Sequence, residues 1–345
     1  MANRQTASME ELLSKASGDG DAKQAALGAA LAGGALAAAK LGWDRLSSKE
    51  DPRRFRLGEG ERVSDGVVRV ACGQLELAIE RLEGNTDEDL GTAVHEARKS
   101  FKRLRTIVRL ARDELGDDLY RRENTAFRDA GRRLAGARDS QVLLETLDAI
   151  GERYPEEAPP ARFLRFRRSL AAQHAAAQRR LQDGAAIGEV LSQLRQAGTR
   201  AQDWPLEREG LDALAPGFRR IYRRGRRAYR SAREEPSSEN LHELRKRVKD
   251  LWYAAQIVRA ASRKRMKRLA RDAHQLSNVI GEDHDLAILR ERAHERCDRF
   301  DDERTVGELA ALIERRRDEL QRETMRAGAR LFRKKPRKIA RQLEQ

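Results

Sequence analysis

Two stretches 147 positions apart constrain this chain more than anything else in it: VHEARKSFKRLR, from Val94 to Arg105, and LHELRKRVKDLW, from Leu241 to Trp252. His95, Arg98, Lys99 and Lys102 match His242, Arg245, Lys246 and Lys249 at that one offset. Upstream, Leu75, Ala78 and Leu82 align with Tyr222, Gly225 and Tyr229. Downstream, LAGARDSQVLLE from Leu134 aligns with IGEDHDLAILRE from Ile280, shifted by one. Similarity sustained over three successive segments marks a duplicated unit rather than a recurring short motif.

Each copy reads as helix. Val94, Ala97, Phe101, Leu104, Val108 and Ala111 recur with the helical period, and Leu241, Leu244, Val248, Leu251, Ala255 and Val258 repeat them. Strand-like alternation is missing, and Ala, Leu, Arg and Glu recur throughout, so the fold class is all-α. Helices are expected over roughly 60–83, 91–115, 118–135, 140–152, 161–182, 186–198, 217–234, 238–261, 263–280, 285–299 and 304–330. Asp139 and Asp285 each precede an apolar run and read as helix N-caps. The division follows: a leader and linker over 1–56, a first helical half over 57–200, a second over 210–330, and a basic tail over 331–345.

The charge pattern bears on function. His95, Arg98, Lys102 and Arg109 form a stripe about 120° around the axis from the apolar face, broadened by Lys99 and Arg105. His242, Arg245, Lys246 and Lys249 take the same places in the second copy, continued by Tyr253. A row of cations beside an apolar stripe is ordinarily a solvated face relieved by neighbouring carboxylates. Here acidic partners look sparse and the row occurs twice, so two rows facing each other are expected to enclose an anion. The preceding helix, FRRIYRRGRRAYR, adds Arg220, Arg223 and Arg227 among seven arginines. Arginine offers planar forks and lysine mobile point charges, a mixture suited to phosphate oxygens. The excess of 71 Lys and Arg over 56 Asp and Glu, a net +15, points the same way, towards a polyanionic partner.

Other classes fit less well. No helix-turn-helix, RNA-recognition or zinc spacing is present, and aromatics are only 5% of the chain, which disfavours base stacking by a nucleic-acid binder. Nucleic acid stays as a weaker alternative partner, and a metal-dependent polyphosphate hydrolase as another. The latter has only Asp139, Asp283 and Asp285 to offer. No catalytic residue, metal site or cofactor is assigned. His95 and His242 read equally as helix anchors and as ligand contacts. Cys72 and Cys297 have no framework or metal spacing; Cys72 falls in an apolar series and reads as a buried thiol in a reducing, cytoplasmic compartment. The apolar run Ala25 to Ala39 is too short for a stable membrane span and reads as a flexible leader or, less well, a membrane-surface contact.

The twin histidine stretches, each followed by a helix and then by ARDSQVLL or GEDHDLAIL, resemble the CHAD family, the conserved histidine α-helical domain, over roughly residues 57 to 330. That resemblance implies two pseudo-symmetric four-helix bundles, a basic central groove or pore, and inorganic polyphosphate as the partner, with binding at polyphosphate granules. It implies a site of His95, Arg98, Lys99, Lys102, Arg105, His242, Arg245, Lys246 and Lys249, together with arginines of the 218–230 helix. Members often carry a hydrolytic CYTH domain as well; its Glu-x-Glu-x-Lys signature is absent here. Trp252 and Gln256 interrupt the second basic row, so the halves are expected to contribute unequally.

Overall fold

The computed structural model describes residues 54–84, 90–135, 137–183, 185–300 and 303–344; most of the expected leader, including Ala25 to Ala39, lies outside them. No strand occurs among the described residues. The helices are α1 (Val63–Glu83), α2 (Leu90–Leu110), α3 (Arg112–Leu115), α4 (Asp117–Arg133), α5 (Ala137–Arg153), α6 (Leu164–Asp183), α7 (Ala186–Gln202), α8 (Ala215–Glu234), α9 (Ser238–Ile257), α10 (Arg263–Glu295), α11 (Glu303–Leu331) and α12 (Pro336–Ala340). The all-α expectation holds. Most boundaries fall within a turn of the periodic pattern, because long amphipathic stripes are what tertiary burial stabilises.

The apolar residues segregate into two clusters whose border does not follow the border between the repeats. The larger draws on α1, α2, α4, α7, α8, α9 and the first half of α10, with Phe101, Leu104, Phe127, Leu194, Phe218 and Leu276 among its members. The smaller gathers α5, α6, the second half of α10 and α11, where Phe166 stacks on Phe300 with ring centroids 4.6 Å apart. Each large apolar side chain buried in either contributes roughly 1.5–3 kcal/mol.

Helix α10 crosses from one cluster to the other. Met266, Ala273 and Ile280 belong to the first, and Leu286, Leu289 and Ala293 to the second. The expected break between 280 and 285 is absent, and Asp285 is a mid-helix residue rather than an N-cap. An interior glycine costs a helix only about 1 kcal/mol. Gly281 is tolerated here because Arg245 lies against it; a Cβ there would come 3.3 Å from the Arg245 guanidinium. Asp283, two residues on, is buried and receives Arg317 Nε at 3.1 Å and Gln321 Nε2 at 3.1 Å, which fastens this stretch of helix to α11. In the first copy the same stretch is divided: α4 ends at Arg133 and α5 begins at Ala137, so Asp139 falls inside α5 instead of capping it.

Two further joints position the helices that carry the repeat. Ser237 caps α9, its Oγ accepting from the Asn240 N–H at 3.2 Å, and so sets the helical phase of His242. Gly217 of α8 lies so close to the end of α2 that a Cβ would sit 2.1 Å from the Leu110 carbonyl oxygen. The chain ends are tied in as well. Gln74 donates to the Arg54 carbonyl at 2.8 Å, and the Arg103 guanidinium stacks over Phe55 at 4.1 Å, so the fold begins ahead of residue 57. Phe332 is buried against Tyr222 and Tyr229, and Ile339 and Leu343 are buried beyond it. The segment expected as a tail therefore packs as a cap on α8, with its lysines and arginines outward.

Candidate functional site

Helices α2 and α9, the two repeated helices, pack against each other, and α10 packs along α9. One joint between α2 and α9 is ionic. Arg109 Nη1 donates to Asp250 at 2.8 Å while its other terminal nitrogen reaches Asn124 at 3.3 Å. Asp250 also receives Arg247 at 3.0 Å, and Arg247 is held by Glu243 at 2.6 Å. Arg105, half-buried beside Arg109, donates to Asn124 at 3.2 Å. Burial, and then the Arg109 charge, lower its pKa to about 10. Arg109 thus serves as a clamp between the repeats.

Away from that clamp, Lys249 sits among other cations. Lys249 has its pKa well below the ordinary lysine value, because of burial first, then Lys102 and Arg245; Asp285 opposes them and Lys99 adds to them. Lys102 and Lys99 belong to α2, and Arg245, like Lys249 itself, to α9, so cations of the two repeated helices act on one another. Among the described residues no carboxylate lies within ion-pair distance of Lys249. Asp285 on α10 stands 3.8 Å from Arg245. Arg245 Nε and His242 Nδ1 are both buried with no hydrogen-bond partner in the described structure.

The pairing of the remaining cations is mixed. Lys99 is bonded to Glu96 at 2.8 Å and Lys246 to Glu243 at 2.6 Å, each carboxylate three residues earlier on the same helix. The impression of sparse acidic partners is therefore corrected: these two glutamates were visible in the sequence at helical spacing. They half-neutralise Lys99 and Lys246 and do not reach Lys249. His95, Arg98 and Lys102 are half-buried on α2. Tyr253, expected to prolong the second row, is instead buried in the core with the Arg103 guanidinium 5.7 Å from its ring. Trp252 closes the end of that row, stacking on His274 at 3.9 Å.

The residue that sequence reasoning missed is His284. Its ring centroid lies 4.4 Å from that of His242, and burial, then Arg245, His242 and Lys249, push its pKa down to about 4. His242 is also shifted down, by burial first, then by Lys246 and Arg245. Both imidazoles are therefore neutral at pH 7. The signal was present, since His284 follows Gly281 by a single helical turn, but an expected helix start absorbed it.

The α8 arginines stand elsewhere. Arg220 is bonded to Asp113 at 2.9 Å, and Arg223 and Arg227 are exposed. None of the three is among the charges acting on Lys249, His242 or His284. The structure brings together Lys99, Lys102, His242, Arg245, Lys249 and His284, with Asp285. Cys72 is half-buried, its thiol raised by burial and by Glu76, and Cys297 is exposed. Among the described residues no three His, Cys, Asp or Glu side chains are grouped to hold a metal, and no helix is long and apolar enough to cross a membrane.

An all-helical scaffold that packs two equivalent basic helices against each other defines the class of this protein. Residues 73–294, more than half of the chain, match the CHAD domain, and the chain belongs to that family. Its fold resembles the crystal structure of the CHAD domain from the plant Ricinus communis, with a TM-score of 0.54 at 17% identity over 80% of this chain and 94% of that one. No curated protein matches the chain.

Proposed function

We propose that this protein binds inorganic polyphosphate, without hydrolysing it, in the cleft where Lys99 and Lys102 of α2 face Arg245 and Lys249 of α9 and His284 of α10. The observation that carries the reading is Lys249, a buried amine set among three cations, with no carboxylate within ion-pair distance among the described residues, so that its charged form is disfavoured until an anion arrives. Such an arrangement destabilises the unliganded protein, and a polyanion relieves it. A phosphate chain offers equivalent oxygens along its length, matching cations that lie on both walls. Each charge-assisted contact contributes roughly 1.5–3 kcal/mol when well formed. Membership of the CHAD family supports the same ligand. Asp283 supports the non-hydrolytic reading, because Arg317 and Gln321 already occupy it. The protein's placement in the cytoplasm, at polyphosphate granules, belongs to the same proposal.

Calorimetric titration with polyphosphates of defined length, at two ionic strengths, tests this directly. Binding should weaken steeply with salt, as counterion release requires for a polyanion. Equal displacement by DNA of matched charge would transfer the reading to nucleic acid. Steady phosphate release in Mg²⁺ or Mn²⁺, lost on chelation, would overturn the non-hydrolytic part.

A further inference from the structure

A second group of cations lies further along the face of α10 that carries Asp285. At 100° per residue Asp285, Ile288 and Arg292 fall on one side of that helix, and Arg296 follows directly on its last residue, Glu295. Asp285 marks the cleft through its approach to Arg245. Arg296 borders a separate open cavity of about 500 Å³ between α6 and the 3-10 turn Cys297–Arg299. From Asp285 to Arg296 the rise is about 17 Å at 1.5 Å per residue. The cavity is lined by Arg165 and Arg168 from α6 and by Arg296 and Arg299, over a floor that includes Ala172 and Ala176.

Asp298 serves both Arg296, at 3.6 Å, and Arg299, at 2.9 Å. Among the described residues Arg168 has no carboxylate within ion-pair distance, and no acidic residue lines the cavity. Four guanidiniums around an open space suit an extended, multiply charged ligand with exposed oxygens. The small alanines keep that space from filling with side chains.

We infer that the Arg165–Arg168–Arg296–Arg299 cavity is a second anion subsite, which takes the continuation of a phosphate chain whose other end occupies the α2–α9 cleft. This rests on the polyphosphate reading above and adds a consequence to it. A chain that reaches both sites gains affinity through effective concentration, and a chain confined to the cleft does not. The protein therefore discriminates by length: tripolyphosphate fills the cleft alone, and long-chain polyphosphate bridges the two.

The test is a length-by-mutation matrix on the full chain. In one variant Arg165, Arg168, Arg296 and Arg299 are all changed to Gln. A control carries the same loss of charge on another exposed face, R322Q/R326Q/R330Q/R333Q. Long-chain polyphosphate should bind the first variant about tenfold more weakly than the unaltered protein, with tripolyphosphate unchanged within twofold. The control should move neither by more than about twofold. Equal weakening of tripolyphosphate and long chains, or equal weakening in the control, would show general attraction only and overturn the second site. An unchanged long-chain affinity overturns it too. The cleft reading then still stands if K102E/K249E abolishes binding of both lengths, so the two failures are distinguishable.

Discussion

Two regions of this molecule are rich in positive charge and have opposite physical characters. Helix α8 carries seven arginines between Phe218 and Arg230, more than any other stretch of similar length in the chain. Its arginines line the outside of a helix whose inner side, Phe218, Ile221, Tyr222 and Tyr229, is wholly committed to packing. Water screens them, and Asp113 takes one. The α2–α9 cleft has fewer cations, but they come from two helices locked together at Arg109–Asp250, and they cannot rotate away from each other. Charge density along a helix therefore says little about where an anion binds. Repulsion that the fold does not relieve says more.

The sharpest way to break this comparison is to invert the cleft. The variant R98E/K102E/R245E/K249E removes the facing charges and substitutes repulsive ones. Affinity for polyphosphate should fall at least a thousandfold, about 4 kcal/mol, in the same calorimetric titration. Unfolding by circular dichroism should show a midpoint that is little changed, because one set of facing like charges replaces another. If the midpoint drops together with the binding, the row holds the fold and the comparison collapses.

On the α8 side the largest effect is expected on stability. Phe332 fills the space over Gly225 and packs against both tyrosines; a Cβ on Gly225 would meet its ring at 2.7 Å. Phe332→Ala should cost about 3 kcal/mol, read from urea unfolding. Affinity for polyphosphate should stay within about twofold, measured well below the new midpoint. A large affinity loss in the still-folded variant would mean that the α8 face is coupled to the cleft after all.

A third effect depends on pH. His284 has a folded-state pKa of about 4 against an ordinary 6.5, so the unfolded chain binds its proton more readily. Stability from this group is present above pH 6.5 and is lost as pH falls towards 4, on the order of 1 kcal/mol after allowance for partial exposure. A bound polyanion reverses the balance by favouring the imidazolium. Affinity should accordingly rise as pH falls through the same window, with net proton uptake seen by calorimetry in buffers of different ionisation heat. His284→Gln should flatten both profiles. An unaltered uptake would place the titrating group elsewhere.

These contrasts show what could be read from residues alone. The duplicated helices, their apolar stripes and the matched cations were legible because period and offset are local properties of the sequence. The facing of the two rows followed only as an expectation, since it depends on how α2 meets α9. Helix α10 was misread because Gly281 and the Asp285 run carry start signals that tertiary contacts override. Arg245 lies against the glycine, and Asp283 is fastened to Arg317. With the break went the role of His284. The arginines of α8 misled for a different reason: composition records how many charges there are, and whether water or another cation lies opposite is a matter of packing.

The smallest effect gives the strictest test of that last point. Arg223 and Arg227 are exposed on α8, and neither bears on the cleft residues whose pKa values are displaced. The variant R223Q/R227Q lowers the net charge by two units, so it should weaken polyphosphate binding slightly through the long-range field. At physiological ionic strength charges separated by more than about 8 Å are largely screened, so the loss should stay within about threefold and shrink further at high salt. Removing the same two charges from the cleft, as K102Q/K249Q, should cost at least thirtyfold, because two direct contacts go. A ratio near unity between the two pairs would mean that binding follows total charge and that the cleft geometry is incidental.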